Sequence, residues 1–118
     1  NSFLLSPLLM KTFKLSDMHH GWFVGNFTPT AFSTDAIEVN YRTHSAGEEW
    51  DVHYHTESTE INLVTKGKMS FNGKVLSVGD IFIVEPWQIS DPTFIEDTTV
   101  ICIRIPSIND KKIVNLVD

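Results

Sequence analysis

Glycine, proline and an Asn-Gly pair punctuate this chain at short intervals, at Gly21, Gly25, Pro29, Gly47, Gly67, Asn72-Gly73, Gly79, Pro86, Pro92 and Pro106. Such spacing leaves little room for ordinary helices. The pieces between the breakers alternate in polarity or are rich in β-branched and aromatic residues, notably 36–43, 51–55, 60–65, 68–71, 80–84 and 99–105. That is the pattern of an all-β sandwich or barrel. Asn72-Gly73 lies between two such pieces and predicts a tight hairpin, because a two-residue type I′ turn needs positive φ at both central positions. Helix is expected over no more than a turn near 15–19, and 111–117 reads as strand or helix.

With 118 residues, 42% of them hydrophobic, the chain builds one core. Fifteen acidic against nine basic residues give a formal net charge of −6, which argues against nucleic acid or an anionic membrane surface as a partner. No apolar run approaches the roughly 18 to 20 residues of a membrane-spanning helix. A single cysteine, Cys102, excludes an internal disulfide framework and agrees with a reducing, cytoplasmic location. Residues 1–9 read as an upstream extension ahead of Met10-Lys11, with an arm exchanged onto a partner subunit as the competing reading, and 10–118 read as a single domain.

The chemistry concentrates at His53, His55 and Glu60. Side chains two apart on a strand share a face, roughly 6 to 7 Å apart, so both imidazoles can reach one ion. The polar stretch 56–59 suits a turn that returns Glu60 beside them. Two imidazoles and a carboxylate form the set favoured by non-haem Fe(II), and they also suit Mn, Co, Ni, Cu or Zn.

The spacing Gly47-x5-His53-x-His55-x4-Glu60-x6-Gly67 resembles the first motif of the cupin superfamily, and the run Gly79-Asp80-Ile81-Phe82-Ile83-Val84-Glu85-Pro86 resembles the second. The resemblance spans about 41–105. It implies a small jelly-roll barrel (a double-stranded β-helix), a divalent metal such as Fe, Mn, Ni, Zn or Cu, a small-molecule ligand and a homodimer, for which the isoleucine-rich last strands offer a surface. The second motif of metal-binding cupins normally adds a histidine after its proline, where this chain has Ser90-Asp91-Pro92. Asp91 is the candidate fourth ligand, with water in that place or a metal-free pocket as the other readings.

Alternation along 99–105 puts Val100, Cys102 and Arg104 opposite the isoleucines. Arg104 on an inward face would anchor a carboxylate or phosphate; on an outward face it would be solvated or ion-paired. The same parity places Asn62 and Val64 with Glu60, and Asp51 with the histidines, while Tyr41 and Arg42 point opposite ways. Trp50 and Trp87 are candidates for the pocket wall, and Gln88 for a polar pocket group. Cys102 reads as a small buried hydrophobe. His19, His20 and His44 read as surface or loop residues.

Three functions of different classes follow. The first is a metal-dependent small-molecule enzyme, a dioxygenase or isomerase, in which His53, His55 and Glu60 hold the ion and Arg104 or Gln88 orients substrate. The second is a non-catalytic small-ligand or sugar-binding barrel. The third is a metal-free epimerase with His53 as base and Tyr54 or Tyr41 as acid.

Overall fold

The computed structural model describes residues 9–115; the reading of 1–9 as an extension lies almost entirely outside them, as does the end of 111–117. A single 3-10 turn over Leu15–Asp17 precedes ten strands. These are β1 (Trp22–Val24), β2 (Glu38–His44), β3 (His53–His55), β4 (Thr59–Lys66), β5 (Lys68–Phe71), β6 (Lys74–Ser77), β7 (Ile81–Val84), β8 (Pro92–Phe94), β9 (Thr98–Ile105) and β10 (Lys111–Ile113). One sheet runs β1-β2-β9-β4-β7, a second β6-β5-β8, and β10 pairs with β3. A bridge between His53 and Ser90 ties the short pair to the chain ahead of β8. All strand pairs are antiparallel.

The expected hairpin is present: Asn72 and Gly73 take φ of 51° and 85° and join β5 to β6. The stretch from 111, read as strand or helix, opens with the strand β10, while two strands escape the sequence pattern: β1 is three residues long, too short to show alternation, and β8 begins at Pro92. Proline is tolerated there because β8 is the edge of its sheet, where a missing N–H disrupts no ladder.

Register decides what faces inward. Glu38, Arg104 and Glu60 are cross-strand neighbours on β2, β9 and β4; Asn40, Cys102 and Asn62 form the next row, and Arg42, Val100 and Val64 the third. All but Val64, which is fully buried, line the barrel cavity, so the interior changes from ionic to apolar along the strands. The apolar end is closed by Val64, Met69, Leu76, Phe94 and Val100, with Trp50, Phe71 and Phe82 packed against them. On the opposite face, Tyr41–Ile101–Leu63–Ile81 and Val39–Ile103–Ile61–Ile83 make two apolar rows across four adjacent strands. Ile81 and Ile83 remain 65% and 56% exposed, so the rows form a contiguous apolar patch rather than scattered apolar exposure.

Candidate metal centre

The sequence folds His53 and His55 onto β3 with Tyr54 facing away, and the turn at 56–58 returns the chain into β4 so that Glu60 comes beside them. The two histidines are buried, and one ligand atom from each of His53, His55 and Glu60 lies within 4.8 Å of the others. Each imidazole is fixed through its far nitrogen. His53 Nδ1 donates to the Asp51 carbonyl at 2.9 Å, and His55 Nδ1 lies 2.8 Å from Asp110 Oδ1. Both rings therefore present Nε2 to the centre, the arrangement by which outer partners set tautomer and aim in metal sites.

His55 carries the decisive contact. Its Nδ1 faces one carboxylate and its Nε2 lies 3.2 Å from another, Glu60 Oε2. Two acceptors on either side of a neutral ring leave Nε2 and Glu60 lone pair to lone pair, so a cation must sit between them, either a second ring proton or a metal ion. Burial alone would raise the Glu60 carboxyl, but the His55 hydrogen bond and charge, with the Arg104 charge, outweigh it and hold the acid below its usual range. Glu60 is thus an anion, as a ligand must be. Burial lowers His53, against the smaller opposing effect of its bond to Asp51, so its ring is neutral near pH 7. The donor set fits a divalent ion.

Asp110 was not legible in the sequence. Besides His55, it accepts the backbone N–H groups of Glu57 and Ser58 at 2.8 Å each, and the Ser58 hydroxyl at 3.2 Å. Burial opposes this charge, but the hydrogen bonds overcome it and hold the carboxyl well below the ordinary carboxylate range. The pairing of β10 with β3, Lys111 opposite His55, delivers Asp110 to the site across 55 residues. No local pattern reports such a contact.

Arg104 lies on the face opposite the isoleucines, as parity suggested; that face is the inward one, and Arg104 is also ion-paired. Its guanidinium binds Glu38, which in turn accepts from Ser107 Oγ at 2.9 Å. Its Nη1 lies 3.1 and 3.0 Å from the two His55 ring nitrogens. In-plane lone pairs of an imidazole diverge, so a nitrogen equidistant from both lies over the ring face. Nη2 reaches the Ile108 carbonyl. With its donors spent inside the protein, Arg104 supports His55 rather than offering a free fork to a ligand.

The cations that remain open are elsewhere. Lys111 Nζ and the Arg42 guanidinium lie 5.0 and 5.4 Å from the Trp50 ring, and Arg42 reaches Glu48 only at 3.9 Å. Among the described residues no ion pair or hydrogen bond engages Lys111 Nζ. Trp50 and Asn62 line the cavity as expected, and Asn62 Nδ2 lies 3.4 Å from Glu60 Oε1. Cys102 also faces the cavity; burial, then the Glu60 charge, pushes its thiol well up, so it stays protonated.

Several expectations are corrected. Asp91 is exposed and away from the triad: Pro92 and Phe94 face inward, so parity turns Asp91 out, where its backbone pairs with Asn72. Gln88 is exposed and its Oε1 caps the Glu85 N–H, closing the turn after β7. Trp87 is 65% exposed and stacks on Tyr54 outside the cavity. Neither Tyr54 nor Tyr41 faces inward, which removes the proposed tyrosine acids, while Arg42 does enter. Asp51 is exposed because β3 starts only at His53, so alternation does not extend back to it. His44, read as a surface or loop residue, is buried at the end of β2 and lines the cavity; its polar neighbours hid the continuation of the strand.

The cavity has a volume of about 710 Å³, enough for a small metabolite, and its wall is mostly apolar with convergent polar groups at the triad. No family model matches the chain, and no curated protein matches it. Its fold is nevertheless the double-stranded β-helix. A conserved protein of unknown function with a double-stranded β-helix domain from Klebsiella pneumoniae superposes with a TM-score of 0.63 at 22% identity, over 69% of this chain and 72% of that one. The DMSP lyase DddQ from Ruegeria pomeroyi is similar with a TM-score of 0.63 at 13% identity, over 79% of this chain and 49% of its own. A single-site mutant of salicylate 1,2-dioxygenase from Pseudoaminobacter salicylatoxidans gives 0.53 at 17%, over 61% of this chain and 22% of its own. The present chain thus spans about half of the lyase and under a quarter of the dioxygenase.

Proposed function

We propose that this protein is a metal-dependent enzyme acting on a small organic molecule, of the dioxygenase or isomerase class, with a divalent Fe, Mn, Ni, Zn or Cu ion held by His53, His55 and Glu60. The observation that carries this reading is the convergence of one ligand atom each from His53, His55 and Glu60 within 4.8 Å, with Nδ1 of both rings held from behind by Asp51 and Asp110. Enzymes among the structural neighbours, a lyase and a dioxygenase, support it. When bound, the ion supplies a Lewis acid that polarises a substrate oxygen. The chain's own residues then bind and orient: Lys111 and Arg42 meet an anionic group, Trp50 provides an apolar wall, and Asn62 steadies Glu60. A cytoplasmic location accompanies this reading, resting on the unpaired Cys102.

Elemental analysis of protein purified without added metal tests the reading. The parent should carry close to one equivalent of a transition metal, and His53→Ala and Glu60→Ala should each lose it while keeping a cooperative thermal transition. A metal-free parent that also takes up no added Fe, Mn, Ni, Zn or Cu sinks the proposal.

We also propose a homodimer formed through the two apolar rows on the outer face of the five-stranded sheet. A face of this kind is self-complementary about a two-fold axis. Ile83→Lys, at an exposed position in one row, should convert the dimer to monomer in sedimentation velocity without changing metal content. A parent that sediments as monomer at all concentrations excludes the dimer.

A further inference from the structure

A second chemical group opens on the same cavity. His44 lies at the end of β2, 8% exposed, with its ring stacked on Phe94 at 4.3 Å between centroids and edge-on to Trp50 at 5.5 Å. Its Nδ1 lies 2.7 Å from Glu48 Oε2. That same carboxylate oxygen accepts the Trp50 indole N–H at 2.6 Å, and Oε1 accepts the Ser45 backbone N–H at 3.3 Å. Glu48 is thereby fixed by donors other than the histidine, so it orients the ring rather than following it. Nε2 has no hydrogen-bond partner among the described residues, yet it is not among the buried unpaired atoms either, so it opens onto the cavity that His44 lines.

Electrostatics agree with this geometry. Burial raises Glu48, but its bonds from His44 and Trp50 outweigh that and keep it anionic. For His44, burial lowers the ring's proton affinity by more than Glu48 raises it, and the nearby Arg42 charge lowers it further. The ring is therefore neutral near pH 7, with its proton on Nδ1 toward Glu48 and a bare lone pair on Nε2. A carboxylate-oriented neutral imidazole with a free nitrogen, lining a cavity, is the construction of a general base.

The base and the triad line one cavity. Trp50 bridges the two: its ring centroid is 5.5 Å from His44 and 6.1 Å from His53. A small molecule lying against Trp50 is therefore near both His44 and His53.

We propose that His44 is the proton-transferring residue of this cavity, with Glu48 as the group that positions it, and that the substrate is a small carbonyl compound bearing an acidic C–H bond. This rests on the metal reading above and narrows it to a reaction begun by proton abstraction, an isomerisation, rather than oxygen chemistry. In the step itself, an N–H bond forms at Nε2 as the substrate C–H bond breaks. The C–H electron pair becomes the carbon–carbon π bond of an enolate while the carbonyl π pair moves to oxygen. Lys111 and Arg42 lie where they can offset the new negative charge. Return of a proton from Nε2 to carbon restores the carbonyl compound, and no oxidant or reductant is consumed.

The test follows hydrogen–deuterium exchange in D2O by proton NMR, with metal-loaded protein and a panel of hydroxyketones, aldoses and 2-oxo acids as probes. The parent should exchange the C–H adjacent to the carbonyl in at least one probe. His44→Gln should slow that exchange by about 100-fold or more while keeping the parent's metal content and melting temperature. Glu48→Gln should keep the metal but move the rising limb of the pH–rate profile to lower pH, because it removes the groups that raise the His44 proton affinity; an unshifted limb would leave Glu48 without its positioning role. No exchange by the parent across the panel, or parental exchange in His44→Gln, overturns the assignment. Metal analysis of the same samples separates the two readings: a metal-loaded parent lacking exchange refutes His44 alone, whereas a parent that binds no metal refutes the triad.

Discussion

Gly67→Ala should destabilise the fold by about 4 kcal/mol, whereas Gly73→Ala should cost about 1 kcal/mol. The two glycines have nearly the same backbone, with φ of 83° and 85°. Left-handed strain is therefore common to both, and what differs is space. A Cβ on Gly67 would stand 2.1 Å from the Asp97 carbonyl oxygen and 2.9 Å from its carbon, both backbone atoms that cannot rotate away, while a Cβ on Gly73 would meet nothing within 4 Å. Gly67 lies where β4 turns into β5, against the start of β9, so the strain would fall on the junction of the two sheets. Urea denaturation of the two variants beside the parent measures the difference. Equal losses at the two positions would mean that the Asp97 strand yields, and the close approach would not then explain the glycine. A loss of about 4 kcal/mol is a large part of the roughly 5 to 15 kcal/mol that hold a domain together, so Gly67→Ala should also show reduced recovery on expression.

The contrast between long and short strands explains which parts of the molecule the sequence reveals. β9 and β4 are eight residues each and paired on both sides, so alternation persists and parity alone groups Arg104 with Cys102, and Asn62 and Val64 with Glu60, leaving only the choice of face open. β3 has three residues, and the same argument carried one step too far misplaces Asp51. His44 is the reverse error. It closes a seven-residue strand whose even positions are all polar, Glu38, Asn40, Arg42 and His44, because they face a cavity rather than an apolar core. Polar inward residues look like solvent-facing ones until the partner strands are known, which is why the ionic row Glu38–Arg104–Glu60 was visible only in part. The triad itself was legible because its three members lie within eight residues on one β-turn-β unit. Their supports were not, since Asp110 and Arg104 reach His55 through strand pairings 55 and 49 residues away.

Asp110→Asn should weaken metal binding 10- to 100-fold, in the range of outer-shell substitutions, and destabilise the metal-free protein by about 3 kcal/mol, since buried donors lose a charged acceptor. The carboxylate takes two backbone N–H groups, a hydroxyl and an imidazole N–H. An asparagine offers one oxygen, so its amide nitrogen must face either the Glu57 and Ser58 N–H groups or His55 Nδ1–H, donor against donor. Satisfying the amide would put the His55 proton on Nε2 instead of Nδ1, and the lone pair needed by the ion would be lost. A pH signature separates this from simple loss of packing. In the folded protein the Asp110 carboxyl is held below its ordinary value of 3.8, so its stabilising contribution is complete above that value. Below it the unfolded chain binds a proton that the folded chain does not, and stability falls as pH drops toward the folded pKa. The parent should therefore lose stability steeply on acidification below about pH 4, and Asp110→Asn should show a shallower acid limb from a lower starting point. Competition with a chelator at neutral pH reads the metal term, and urea midpoints between neutral and acid pH read the proton term. An Asp110→Asn variant with parental metal affinity would show that His55 keeps its tautomer without the carboxylate, and the aim of Nε2 would then have to come from Arg104 and Glu60 alone.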